Sequence, residues 1–275
     1  MRSRLDAIAL TLLVPADRSD RYANAFAAGA DAVILDLEDA VAPDAKDRVR
    51  TALAAAALAI AEAACPVLVR LNAIGTRWHE ADLACVAALR LAGVILPKAE
   101  THRDIEETER RAGVPVVALI ESARGLAAAR DVAGAASRLA FGSIGFAADL
   151  GCAHTREALL HARSELVLAS RLAGRSGPID GVTAAYGDAA AVEEDARHAA
   201  LLGFAGKLLI HPAQIVPARA GFALSAEDRA WAERVLAASP EGGAVAVDGA
   251  MVDAPVRLRA ESIMRRAGAQ EGRIR

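Results

Sequence analysis

The side chains in this chain best suited to chemistry stand at or just past the ends of short apolar runs. Asp36, Glu38 and Asp39 close the run 32–37. Arg70 and Asn72 close 67–71, and Lys98 and Glu100 follow 93–97. Glu121 follows 116–120, Ser143 and Asp149 follow 139–142, and His211 and Gln214 follow 207–210. Carboxylate oxygens from Glu121 and a nearby Asp suit a hard divalent cation such as Mg²⁺. Cys65, Cys85 and Cys152 have no zinc-ligand spacing with one another or with the histidines.

Each of these residues also has an ordinary reading. A lone acid after a strand more often caps the next helix than binds a ligand, and Glu38 and Asp39 fit that role. Arg70 could be a structural ion-pair partner, Lys98 a solvated loop residue, and His211 before Pro212 a satisfied turn histidine. The ordinary reading weakens when the residues are taken together. Acids and bases converging on one face are costly unless they bind something.

The convergence depends on the elements. Eight strand-like runs, 7–14, 32–37, 67–71, 93–97, 116–120, 139–142, 179–182 and 207–210, alternate with helical segments. Those segments are 21–28, 44–63, 81–89, 101–111, 125–133, 155–173, 189–202 and a short helix from Pro212. Such alternation predicts a parallel sheet with crossover helices, and eight units predict closure as a (β/α)8 TIM barrel. An open doubly wound sheet is disfavoured because no Gly-x-Gly-x-x-Gly follows the first strand. In a barrel the listed side chains share the C-terminal mouth, where such folds do their chemistry. We expect residues 1–222 to form the barrel. Residues 223–275 are expected to form a C-terminal helical lid or oligomerisation segment, with a helix from Ser225 through Trp231, a turn at 239–243, an extended or turn segment 245–255, and a helix 256–267.

Composition narrows the function classes. With 275 residues, 54% apolar and 24% charged, the chain buries a large core, so disorder is excluded. A net charge of -3 and 3% aromatic residues argue against a nucleic-acid or anionic-membrane partner. The odd cysteine count fits a reducing compartment, no stretch is long enough to span a bilayer, and the start lacks a signal-peptide pattern. The expected location is the cytoplasm.

Motifs in order along nearly the whole chain add a resemblance. They are Leu13-Val14-Pro15 with Arg21; Gly29-Ala30-Asp31-Ala32-Val33-Ile34-Leu35-Asp36-Leu37-Glu38-Asp39-Ala40-Val41; and Lys46 with Arg50. Next come Val69-Arg70-Leu71-Asn72, Leu96-Pro97-Lys98, Ile120-Glu121-Ser122 and Phe141-Gly142. The last are Gly203-Phe204-Ala205-Gly206-Lys207, Ile210-His211-Pro212-Ala213-Gln214 and Asp248-Gly249-Ala250-Met251-Val252-Asp253-Ala254-Pro255. In these the chain resembles the citrate lyase β-subunit family within the HpcH/HpaI aldolase group.

The resemblance implies a barrel with Mg²⁺ that cleaves a 3-hydroxy-acyl-CoA thioester of the citryl-, malyl- or citramalyl-CoA kind into acetyl-CoA and a 2-oxo acid. It implies Glu121 as first metal ligand, with Asp36, Glu38 and Asp39 around the metal's outer shell. Arg70 is expected to hold the substrate carboxylate and stabilise enolate charge. Arg21, Lys98, His211 and Gln214 are the further substrate-binding candidates. Asp253 falls in a tail motif that in relatives closes over a neighbouring subunit, which implies an acid/base group acting in trans and a homo-oligomer, a trimer or hexamer. The chain departs from the family pattern at Gly145, where a second metal-ligand Asp is expected. Asp149 is the possible surrogate. Two alternatives stay open: a metal-dependent aldolase on free 2-oxo acids, and a catalytically impaired CoA-thioester-binding homologue.

Overall fold

The computed structural model describes residues 4–238 and 244–274. They fall into two compact units, Met1–Phe222 and Ala223–Arg275.

The first unit is a closed parallel barrel of eight strands in sequence order. They are β1 (Leu10–Pro15), β2 (Ala32–Asp36), β3 (Val67–Arg70), β4 (Gly93–Leu96), β5 (Val116–Ile120), β6 (Arg138–Phe141), β7 (Ile179–Asp180) and β8 (Gly206–Leu209). Pairing of Leu10 with Lys207 joins β8 to β1 and closes the ring. Side chains alternate across each strand. One parity fills the barrel with Ile34, Leu68, Ile95, Val117, Leu119, Ala140, Ile179 and Leu208. The other parity, including Val33, Leu35, Val69, Phe141 and Leu209, packs against the surrounding helices. Each buried Leu, Ile or Val contributes roughly 1.5–3 kcal/mol of transfer free energy, so this double layer holds the mouth rigid.

Several elements are shorter than the sequence predicts. The first strand begins at Leu10, because Arg4–Ala7 forms a 3-10 turn. Buried Arg138 holds that turn, donating through Nη1 to the carbonyls of Leu5 and Ile8. The predicted helix 44–63 is two helices, Lys46–Ala55 and Ala57–Ala61. Ala56, with ψ 6°, leaves the helical region, and the second helix places Ile60 in the core. Alanine favours helix but gives little packing to enforce one axis. The segment 125–133 likewise divides, into Ala123–Ala127 and Ala129–Ala135, and the helix expected from residue 155 begins at Leu160. β7 is only Ile179–Asp180. Past it, Gly181 is pressed so closely by Ser143 that an added Cβ would lie 2.1 Å from Ser143 Oγ.

The second unit has its own core of Ala232, Val235, Val252, Ala260 and Ile263. Ser225 Oγ caps the helix Ala226–Ala238, accepting from Asp228 N. The expected turn at 239–243 lies outside the described residues. The extended segment is an antiparallel hairpin, β9 (Val245–Val247) and β10 (Ala250–Val252). Its turn, Asp248-Gly249, has φ 51° and 80°, the positive values that a tight two-residue hairpin requires. The last helix is Ala254–Ile274. No helix among the described residues is long and apolar enough to cross a membrane.

Candidate active site

Strand parity decides which side chains enter the mouth. Asp36 shares the inward parity of Ile34, Arg70 that of Leu68, and Glu121 that of Leu119. Register then pairs Asp36 with Arg70 across β2 and β3. The two meet side-on: Arg70 Nε donates to Asp36 Oδ1 at 2.7 Å and Nη2 to Oδ2 at 2.6 Å. Asp36 also accepts from the amides of Glu38 and Ala40, at 2.9 and 3.2 Å. Its carboxylate is therefore fully engaged in shaping the acidic turn and orienting Arg70.

Nη1 of Arg70 faces the other two acids, 3.1 Å from Glu38 Oε2 and 3.7 Å from Asp39 Oδ2. Burial opposes the Arg70 charge, but Asp36, Glu38 and Asp39 outweigh it and raise its pKa. Asp39 is exposed, whereas Glu38 is 6% exposed. Glu38 Oε2 is buried without a hydrogen bond among the described residues. Arg70 lies close enough to attract it but is misaligned for a hydrogen bond. Burial pushes the Glu38 carboxyl up to about 8; Arg70 pulls it down, and Glu121, Asp39 and Asp36 raise it further.

Glu121 closes the acidic cluster from β5. Burial raises its pKa against the pull of Arg70 and of the Lys98 amide. Lys98 N donates to Glu121 Oε1 at 3.0 Å. To aim that amide, Lys98 adopts φ 47°, a left-handed conformation costing a non-glycine residue roughly 1–2 kcal/mol. Its exposed ammonium lies 3.9 Å from Glu38 Oε1, so one residue touches both buried acids. Side-chain spacing carries no sign of the amide contact, which depends on backbone conformation.

Glycines press on Glu121 from β6. A Cβ at Gly142 would lie 2.5 Å from Glu121 Cβ, and one at Gly145 would lie 3.0 Å from Glu121 Oε2. Position 145 thus abuts the Glu121 carboxylate, and this chain places no side chain there. Among the described residues no group of three or more His, Cys, Asp or Glu is arranged to hold a metal ion. The carboxylate that could hold a cation is Glu121, with the Glu38 carboxyl, ion-paired with Arg70, beside it.

The remaining predicted residues are placed differently. Gln214 is fully buried and saturated: Oε1 accepts from Ile210 N at 2.8 Å and Nε2 donates to Thr183 O at 2.8 Å. It ties the β8 loop to the β7 loop. His211 is exposed, with Nδ1 accepting from Ala213 N at 3.2 Å in a helix cap. Asp149 Oδ2 accepts from Ala123 N at 2.7 Å. One oxygen of the expected surrogate ligand is thus engaged at a helix N-terminus, an ordinary use of a short acid there. Arg21 is exposed after β1. Asp253, in the second unit, accepts from Val256 N at 3.2 Å and starts the last helix.

Comparison with known proteins places this geometry. The family model for HpcH/HpaI aldolase/citrate lyase matches residues 10–212. A citrate lyase subunit beta-like protein of Mycobacterium tuberculosis is 41% identical over 267 residues, covering 94% of each chain. A (3S)-malyl-CoA thioesterase of Cereibacter sphaeroides is 30% identical, covering 88% of each chain. A crystal structure of CitE from Mycobacterium tuberculosis in complex with magnesium, acetoacetate and coenzyme A superposes with a TM-score of 0.85 at 40% identity. That match covers 96% of this chain and 99% of the other.

Proposed function

The chain belongs to the HpcH/HpaI aldolase/citrate lyase family, and from that premise we propose that it is a carbon–carbon lyase of 3-hydroxy-acyl-CoA thioesters. The products are acetyl-CoA and a 2-oxo acid. The observation that carries this reading is Glu38, a buried carboxyl pushed up to about 8, whose Oε2 accepts no hydrogen bond among the described residues and lies 3.1 Å from the Arg70 guanidinium. A proton carrier next to a fixed positive charge is what retro-aldol cleavage needs.

Arg70 has its Nε/Nη2 edge occupied by Asp36. The Nη1 side is the part that would meet the substrate carboxylate and the negative charge developing on the thioester oxygen. Glu38 Oε2 would take the hydroxyl proton as the carbon–carbon bond breaks. Asp39, exposed at the turn, would line the polar rim. Arg21, Lys98 and His211, also exposed, would face the anionic groups of a CoA thioester. We assign Asp253 of the C-terminal lid to proton donation across a subunit boundary in a homotrimer or hexamer. A cytoplasmic location follows from the same reading, and all three cysteines are free.

The donor set fits Mg²⁺. Two buried carboxyls with raised pKa values share the mouth, and one carries an oxygen without a hydrogen bond. A hard cation held at Glu121 would lower both pKa values and leave Glu38 ionised and free to accept the proton, and Mg²⁺ commonly takes one or two carboxylates with water and substrate filling the rest. The structures of related CitE with magnesium support this choice. Glu121 would hold the ion, with Glu38 beside it. When bound, the cation would supply positive charge to the 2-oxo acid oxygens.

The bare backbone at Gly145 favours a second reading, in which the fold binds the thioester with a weakened metal site and low turnover. The test is an assay with Mg²⁺ and malyl-, citramalyl- and citryl-CoA, following acetyl-CoA and the 2-oxo acid. Mg²⁺-dependent release of both from one thioester is the expected result. Thioester binding without cleavage at saturating Mg²⁺ selects the second reading. Release of CoA and an intact hydroxy acid overturns the lyase assignment.

A further inference from the structure

Lys46 lies behind the acidic turn and has no part in the chemistry above. It is the first residue of the helix Lys46–Ala55 and is buried. A cation there opposes the helix dipole, and burying it adds a desolvation penalty. The structure shows what offsets both. The ammonium has three protons and three acceptors: Leu37 O at 2.8 Å, Glu38 O at 2.9 Å and Asn72 Oδ1 at 2.7 Å. The Trp78 ring covers it, with the centroid 4.9 Å from Nζ. Burial lowers the Lys46 pKa, and Asp82, Asp36, Glu38 and Asp39 act in the opposite direction.

The acceptors come from two strand ends. Asn72, just past β3, is itself fixed by buried Asp82, whose Oδ2 accepts from Asn72 N at 2.8 Å and Nδ2 at 2.7 Å. Arg50 braces the other Asp82 oxygen at 2.8 Å. The chain from Asp82 through Asn72 to Lys46 ends on the main chain of Leu37 and Glu38. On its side-chain side, among the described residues, Glu38 has only the misaligned Arg70 and a Lys98 ammonium 3.9 Å away. The direction of the Glu38 carboxylate is therefore set from its backbone.

We propose that Lys46 is a positioning residue that fixes the Leu37–Glu38 main chain and so aims the Glu38 carboxylate at Arg70 and Glu121. The inference rests on the functional reading above for the role of Glu38, but not for the contacts. Lys46→Met should still fold. Leu37 O also accepts from Asn72 Nδ2 at 3.0 Å, and Glu38 O from Val41 N at 3.1 Å, so neither carbonyl is left bare.

The test pairs Lys46→Met with Arg50→Met, which loosens the same network one step further from the turn. Hydrogen exchange by mass spectrometry reads the peptide 37–45, and steady-state kinetics read the best thioester. In Lys46→Met we expect exchange in that peptide to rise about tenfold, with the barrel strands unchanged. We expect kcat to fall about 30-fold with KM within about threefold, while Arg50→Met keeps kcat within about threefold. Unchanged exchange in 37–45 overturns the proposal, as does a loosened turn with kcat intact. If the wild-type protein cleaves no thioester, the functional reading fails, and exchange alone decides whether Lys46 holds the turn.

Discussion

At the ends of β2 and β3, Arg70 lies within 3.7 Å of three carboxylates, and all of this charge belongs to the mouth. At the ends of β6 and β7, the positions continuing the inward parity are Gly142 and Gly181, and Gly145 stands beside them. That side is not poor in charge. Arg163 Nε donates to Asp180 Oδ1 at 2.9 Å, and Lys207 Nζ lies 3.5 Å from Asp180 Oδ2. Asp180 and Lys207 are buried on the opposite strand parity, facing the helices, where Arg163 of the helix Leu160–Leu172 meets Asp180 and covers the Phe141 ring. In the proposed site the same residue types thus take chemical or scaffolding roles according to which face of the sheet they leave. Behind the acidic turn lies a second polar layer, where Lys46 donates to Asn72.

The comparison predicts unequal responses to matched substitutions. Arg70→Lys removes the planar side-on contact to Asp36 and should lower kcat about 10²–10³-fold in the thioester assay. Arg163→Lys, on the other side, should lower the melting temperature and leave kcat within about threefold. Similar kcat losses in both would erase the distinction.

The next effect concerns pH. Burial raises Glu38 from 4.5 to about 8, so the folded state holds this proton more tightly than the unfolded chain. The stability it contributes is fully present below about pH 4.5 and is lost as pH rises through about 8. In metal-free buffer, Glu38→Gln should be more stable than wild type by a few kcal/mol near pH 9. The gap should close toward pH 5. Denaturant melts across that range check it, and a constant gap would place Glu38 in a wetter site than the structure shows.

A smaller effect belongs to Lys98. Lys98→Gly keeps the amide on Glu121 and removes the left-handed strain. We expect a net gain of about 0.5–1 kcal/mol, because glycine also loses more chain entropy on folding. A loss of stability would show that the Lys98 ammonium near Glu38 outweighs its backbone strain.

The barrel was readable in the sequence because eight alternating runs leave few other topologies, and the run ends placed Asp36, Arg70, Lys98 and Glu121 at one mouth. The ends of individual elements were not. Nothing in the alanine-rich segment 44–63 marks the break at Ala56, because alanine packs too weakly to announce a change of axis. The partners of Gln214 were hidden because a polar residue past a strand looks alike wherever its side chain ends, here on the Thr183 carbonyl. The Lys98 amide and the Lys46 brace depend on backbone oxygens and φ, which side-chain spacing does not encode.

In the proposed site the β2–β3 side supplies the charge while the β6 side, at Gly145, withholds a carboxylate from the metal. Gly145→Asp adds one against Glu121, whose carboxylate must give by a few tenths of an ångström to admit it. The direct measurement is calorimetric titration of Mg²⁺ into metal-free wild type and Gly145→Asp. The account predicts weak binding to wild type and an affinity at least about tenfold higher, some 1.4 kcal/mol, in the variant. Equal affinities would contradict it.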